Sequence, residues 1–439
     1  MKPIVIVGAG VTGCVIACEL AKIGRKVILI ERESSVGGLA RTFRYGGFSF
    51  DIGPHRFFSQ KPQIIGFIKG ILKENYSIIA RDSEVYFLGK YYPWPLRPAA
   101  LFDFPLVTTL KSCWDLILMA GRNKKKEADN FEDYILANYG PSLYNVFFKD
   151  YTQKFLGLVP KKIHSEWAKE GMKRTIIDER IASRNLIDIL KLFFVFNPLQ
   201  TEFIYPSTGI GIFCDRLKDE AEKYAAEILT NSAITRIECG SGAIEEIFIK
   251  DRSIKPEMVI WTAPLETICG LLNLPQKGLE YLSLLIFNIE LKKPINKKYQ
   301  WCYYGSQDII FSRVSITTSF DKNMAPENMA GLCVEITCRR KDKYWDNPAA
   351  LIERIKNDLI KVGLVNRIED IGGIHTEKIS DAYPVYELNY QENLKKVKQD
   401  LSKVNNVMLA GRTGLFWYNN MDDSVENGLK AVDEIKKSV

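Results

Sequence analysis

The stretch Ile4-Val5-Ile6-Val7-Gly8-Ala9-Gly10-Val11-Thr12-Gly13 decides the fold. Its first four residues are a β-branched run of strand length. Gly8, Gly10 and Gly13 follow at once in the spacing G-x-G-x-x-G. Over 12–24 the apolar residues Val15, Ile16, Leu20 and Ile23 then recur at helical spacing, and Lys26–Ile30 is a second β-branched run. Strand, glycine turn, helix and strand make a βαβ unit, which predicts a parallel sheet with right-handed crossovers. The three glycines differ in what they allow. Gly8 permits the tight turn, Gly10 lets backbone approach a pyrophosphate, and Gly13 allows close helix–strand packing. The helix N-terminus offers free N–H groups and a positive dipole to that pyrophosphate. Glu31 closes the second strand 21 residues after Gly10, where a carboxylate accepts hydrogen bonds from an unphosphorylated ribose.

Working outward, 61–204 reads as mainly helical, with a Pro/aromatic interruption at Tyr91-Tyr92-Pro93-Trp94-Pro95. The β-type period returns over 225–265 and ends in Met258–Thr262. Strand candidates follow at Leu284–Leu291, Ile309–Val314 and Leu332–Thr337. Asn406–Ala410 is another buried strand, and from Asp423 to Lys437 the residues Val425, Leu429, Val432 and Ile435 share one helical face. The expectation is an α/β protein: a Rossmann-type, glutathione-reductase-like domain from 1–60, 205–265 and 400–439, a mainly helical insertion at 61–204, and an antiparallel β-sheet substrate domain at 266–399.

Composition narrows the function. The 439 residues are 46% hydrophobic and 26% charged, which excludes a disordered or fibrous chain. A net charge of +7 falls short of a nucleic-acid footprint but favours an anionic ligand. His55, His164 and His375 are widely separated, so no His-rich metal site is expected. The nine cysteines include no C-x-x-C pair, and Cys14 and Cys18 sit four apart on one helix, which predicts reduced thiols and a cytoplasmic location. The short lead to the first strand predicts no signal peptide. Neither 101–121 nor Leu190–Phe196 is apolar enough to span a membrane, and both are expected to be buried helices. Arg122, Lys124, Lys125 and Lys126 after the first of them leave peripheral membrane contact open.

Beyond Glu31, the run Arg32-Glu33-Ser34-Ser35-Val36-Gly37-Gly38-Leu39-Ala40-Arg41 resembles the second dinucleotide motif of FAD proteins of the amine oxidase and protoporphyrinogen oxidase superfamily. Val259–Pro264 resembles that superfamily's returning strand, and Asn406–Ala410 with Gly411-Arg412 its last one. The resemblance implies FAD rather than NAD. Asp51-Ile52-Gly53-Pro54-His55-Arg56-Phe57-Phe58 resembles the segment over the flavin ring in UDP-galactopyranose mutases. Gly411–Asp422, with Tyr418, Met421 and Asp422, resembles their C-terminal G-R-x-G-x-x-x-Y-x-x-M-D element. Tyr383-Pro384-Val385-Tyr386 resembles their tyrosine-bearing stretch, and Ile310–Arg313 the strand whose arginine holds the substrate diphosphate.

This resemblance implies a nucleotide-sugar pyranose/furanose mutase for cell-surface glycan precursors, in which N5 of reduced flavin attacks the anomeric carbon. The implied cofactor residues are Gly8, Gly10, Gly13, Glu31, Arg32, Gly38, Leu39, Arg41, Pro54, His55, Gly411, Arg412, Met421 and Asp422. The implied substrate residues are Arg313, Tyr383, Tyr386, Tyr418 and Arg174, with His55, Arg313, Tyr383 and Tyr418 nearest the chemistry. Fixed guanidinium groups and phenols suit a diphosphate. An electron donor such as NAD(P)H and a homo-oligomer are compatible with such an enzyme. Two departures keep a net oxidoreductase open as the alternative. Phe58 replaces the mutases' second histidine, and Phe155 or Leu156 their usual tryptophan. Pro160–Trp167 looks closer to a protoporphyrinogen-oxidase-like branch. A noncatalytic FAD-binding scaffold is a third reading.

Overall fold

Short apolar runs far apart in sequence form the centre of the first sheet. In the computed structural model, which describes residues 2–94, 104–120, 128–175, 201–275 and 278–437, five parallel strands lie side by side. Their order is Val407–Leu409, Met258–Trp261, Ile4–Val7, Val27–Ile30 and Glu227–Leu229. Ile4–Val7 and Val27–Ile30 are buried at every residue, as strands covered on both faces must be. The helices Val11–Lys22, Ile212–Lys223 and Met421–Lys437 pack together on one face. A Cβ on Gly428 would meet Val15 Cγ1 at 2.9 Å, so the last helix lies very close to the first. On the other face, Ile237, Ile244 and Ile247 of a three-stranded sheet share a core with Val5 and Val7.

The second sheet has seven strands: Ile371–Pro384, Tyr281–Leu291, Ala330–Cys338, Arg313–Ile316, Trp301–Tyr304, Ser83–Phe87 and Lys90–Pro93. The last two come from the region expected to be mainly helical. Ser83–Phe87 alternates buried and half-buried residues, a period of two in a short run. The sheet is also not wholly antiparallel, because Trp301–Tyr304 pairs in parallel with Ser83–Phe87. The expected strand at Ile309–Val314 begins only at Arg313; Ile309 and Phe311 are buried, but in irregular chain. Their apolar pattern reported burial rather than extension.

The helix Leu106–Ala120 corrects another expectation. Leu106, Val107, Leu110, Trp114, Ile117 and Leu118 are exposed among the described residues, with Leu106 at 72%. Arg122, Lys124, Lys125, Lys126 and Leu190–Phe196 lie outside the described residues. No helix of the described residues is long and apolar enough to cross a membrane. All nine cysteines are unpaired as disulfides, and no cluster of His, Cys, Asp and Glu among the described residues has the makings of a metal site.

Candidate active site

The glycine turn is held by contacts that leave no room for a side chain. A Cβ on Gly13 would lie 2.0 Å from the Gly8 carbonyl oxygen, and one on Gly8 (φ +98°) would lie 2.6 Å from Thr262 Oγ1. The Thr262 hydroxyl bonds at 2.9 Å to the carbonyl oxygens of both Val7 and Gly8, tying the returning strand to the turn. Gly10 differs: a Cβ there would meet nothing within 4 Å. Its backbone faces open cleft, as approach of a dinucleotide requires. Gly38 (φ +55°) sits on it, 3.1 Å from a built Cβ to Gly10 Cα. Glu31 also lines the cleft, and its carboxylate accepts the N–H groups of Ala9 at 2.8 Å and Glu33 at 2.9 Å. These residues fit a dinucleotide.

The cleft has a volume of about 1210 Å³ and continues past the loop at 51–58. Asp51 anchors that loop, accepting from the Thr42 hydroxyl at 2.6 Å, the Tyr205 hydroxyl at 2.5 Å and the Ile210 N–H at 3.1 Å. Burial pushes its carboxyl up to about 6 against these donors. Burial, then the charges of Arg412 and Arg313, pushes His55 down to about 3, so its imidazole is neutral. Its buried Nδ1 has no hydrogen-bond partner among the described residues. Asp422, at the start of the last helix, is raised to about 6 by burial and by Asp423.

Arg313 is clamped by a buried carboxylate. Its Nε and Nη2 donate to the two oxygens of Glu335, each at 2.5 Å, and Nη2 also lies 3.1 Å from the Tyr383 hydroxyl. Glu335 is 1% exposed. Gly53 (φ +74°) lies directly on this pair, where a Cβ would fall 2.7 Å from Glu335 Oε1. The Arg412 guanidinium lies 5.0 Å from the Tyr383 ring and 4.9 Å from the Tyr418 ring. Trp167 stacks on Tyr418 at 4.6 Å, and Phe155 meets Tyr383 edge-on at 5.1 Å. The result is an aromatic chamber with two guanidinium groups.

The structure thus brings Gly8, Gly10, Glu31, Gly38, Leu39, Arg41, Pro54, His55, Arg313, Tyr383, Gly411, Arg412, Tyr418, Met421 and Asp422 to one cleft. Gly13 supports it from behind. Arg32 also lines it, but its guanidinium bonds Ser380 Oγ at 2.7 Å and Asp381 at 3.2 Å, linking the end of a first-sheet strand to the second sheet. Tyr386 requires correction: it is 3% exposed, does not line the cleft, and accepts the Tyr418 N–H at 2.9 Å. Its hydroxyl thus meets the Tyr418 backbone rather than the cleft. The Arg174 side chain lies outside the described residues. Sequence reading gave no role to Glu335 or Arg81 and quoted Arg56 only as part of the 51–58 segment. Glu335 sits inside an apolar strand, where a lone carboxylate was a signal; for Arg81 no local signal existed.

Comparison with known proteins agrees with this architecture. A family model, NAD(P)-binding Rossmann-like domain, matches residues 6–71. All-trans-retinol 13,14-reductase of Danio rerio is 47% identical over 51 residues, 12% of this chain and 8% of that one. A "probable UDP-galactopyranose mutase" of Klebsiella pneumoniae is 27% identical over 230 residues, 51% of this chain and 59% of that enzyme. The chain therefore spans less than two thirds of the length of these relatives. The crystal structure of reduced UDP-galactopyranose mutase superposes with a TM-score of 0.85 at 23% identity, covering 100% of this chain and 96% of that one. The resemblance read from the motifs is borne out at the level of the fold: this chain has the fold of UDP-galactopyranose mutase.

Proposed function

We propose that this protein is an FAD-dependent nucleotide-sugar pyranose/furanose mutase acting on a UDP-galactopyranose-like substrate, in synthesis of cell-surface glycan precursors. The observation that carries the reading is the meeting of three distant segments, 8–13, 51–58 and 411–422, on the aromatic, arginine-bearing cleft. Gly8, Gly10 and the N-terminus of Val11–Lys22 would hold the FAD pyrophosphate, Glu31 the ribose, and Gly38, Leu39 and Arg41 the adjoining backbone. Pro54, His55, Arg412, Met421 and Asp422 would hold the flavin end. Reduced flavin supplies a nucleophilic nitrogen for the anomeric carbon.

The chain's own residues bind, orient and exclude water. Neutral His55 adds no charge beside the reacting atoms. Trp167, Phe155 and the tyrosines form a dry wall in which charge interactions are strong. Arg313, Tyr383 and Tyr418 face the substrate, and Tyr386 fixes Tyr418. An electron donor such as NAD(P)H, a cytoplasmic location and peripheral membrane contact through the exposed face of Leu106–Ala120 belong to the same proposal. The test is to incubate dithionite-reduced protein with a panel of sugar nucleotides. Isomers of unchanged mass are expected; turnover by oxidised protein alone, with loss of hydrogen, would reject the mutase.

Net redox chemistry on the same fold is the second reading. It is favoured by Glu335, which neutralises the arginine expected to meet a diphosphate. Bleaching of bound flavin by an uncharged substrate, followed by reoxidation, would establish it.

A further inference from the structure

Two other arginines line the cleft. The Trp301 indole is fully buried, and two guanidinium groups lie over it: Arg56 at 4.5 Å and Arg81 at 5.3 Å from the ring centroid. Neither forms an ion pair among the described residues. Arg56 Nη1 donates to the Pro54 carbonyl at 3.0 Å, and Arg81 Nε to Ser83 Oγ at 3.1 Å. Arg81 Nη1 is buried with no hydrogen-bond partner among the described residues. The contrast with Arg313 is sharp, since Glu335 already cancels that charge.

Two like charges whose fields reach each other in a poorly solvated wall are costly, and contact with one indole offsets only part of the cost. Burial and the charges of Arg81 and Arg313 lower the proton affinity of Arg56, with Tyr303 and the Asp422 carboxylate opposing them only in part, and burial lowers that of Arg81. Both charges reach the Tyr303 phenol, whose ring lies 5.8 Å from the Arg313 guanidinium. The pair therefore belongs to the same chamber. A ligand with two adjacent negative charges restores neutrality, and planar guanidinium forks bind phosphate oxygens bidentately.

We infer that Arg56 and Arg81, supported by Trp301, are the diphosphate-binding pair of this cleft. The inference rests on the nucleotide-sugar reading for its substrate class but assigns the phosphates to residues that reading left unused.

The experiment is calorimetric titration of flavin-loaded protein with UDP, inorganic pyrophosphate and uridine. The proteins are wild type, Arg56→Gln, Arg81→Gln, the double variant and the two Arg→Lys variants. Each Gln change is expected to weaken UDP and pyrophosphate about tenfold or more, the worth of one charged hydrogen bond. Uridine affinity and flavin content should stay unchanged, and Lys should recover part of the loss. Because Lys keeps the charge and the buried stem, it remains informative if a Gln variant fails to fold. Affinities for UDP and pyrophosphate that are unaltered in the Gln variants would overturn the pair while leaving the mutase reading intact. A wild-type protein that binds neither would overturn both. Arginine-dependent pyrophosphate binding without turnover of any sugar nucleotide would retain the pair and remove the mutase.

Discussion

Replacing Glu335 by Gln should expose how the chamber wall is held together. The carboxylate is 1% exposed and takes two hydrogen bonds of 2.5 Å from a guanidinium whose side chain is 13% exposed. Glutamine is nearly isosteric, so no cavity opens. What changes is that Arg313 becomes a buried, uncompensated cation. Breaking one side of such a pair costs about 3–5 kcal/mol. For a cooperative unit of 150–250 residues that lowers the melting midpoint by roughly 6–20 °C. The assay is calorimetry of flavin-loaded protein, with and without pyrophosphate. An added anion should restore part of the loss, because it replaces the missing charge. The double replacement Arg313→Met/Glu335→Leu removes both charges and should recover most of the stability. A single-variant cost below about 1 kcal/mol, or a double variant as unstable as the single one, would refute the buried-pair reasoning.

Asp51 gives a pH-dependent expectation. Its folded carboxyl is raised to about 6 from 3.8, so the fold favours the protonated form. That contribution is complete below about pH 4 and is lost as pH rises through 6, a change of roughly 3 kcal/mol. Asp51→Asn should therefore gain on wild type in urea midpoints between pH 4.5 and 7.5, and a constant difference would count against the assignment. His55, held neutral down to about pH 3, should show no imidazole titration by NMR between pH 8 and 4. Gly13→Ala would drive a Cβ to within 2.0 Å of the Gly8 carbonyl, so purified protein should lose most of its bound flavin by absorbance. Trp114→Glu, on the exposed apolar helix face, should reduce cosedimentation with anionic vesicles without altering flavin content.

Local rules were enough for the dinucleotide half of the molecule. Glycine spacing, β-branched runs and a carboxylate at the end of a strand are all constraints set within about thirty residues, and their meaning does not depend on distant partners. The terminal helix and the returning strands were legible for the same reason. What tertiary structure alone decided is the charge state and companionship of the chamber. Arg313 reads as an anion-binding residue until the neighbouring strand brings Glu335 beside it, and Arg81 carries no motif until Trp301 and Arg56 arrive from 220 and 25 residues away. Tyr386 and Tyr418 look alike in sequence, yet one is packed behind the other. A side chain's type is a local property; its desolvation and its partners are set by which strands pair, and pairing joins residues that no sequence window contains.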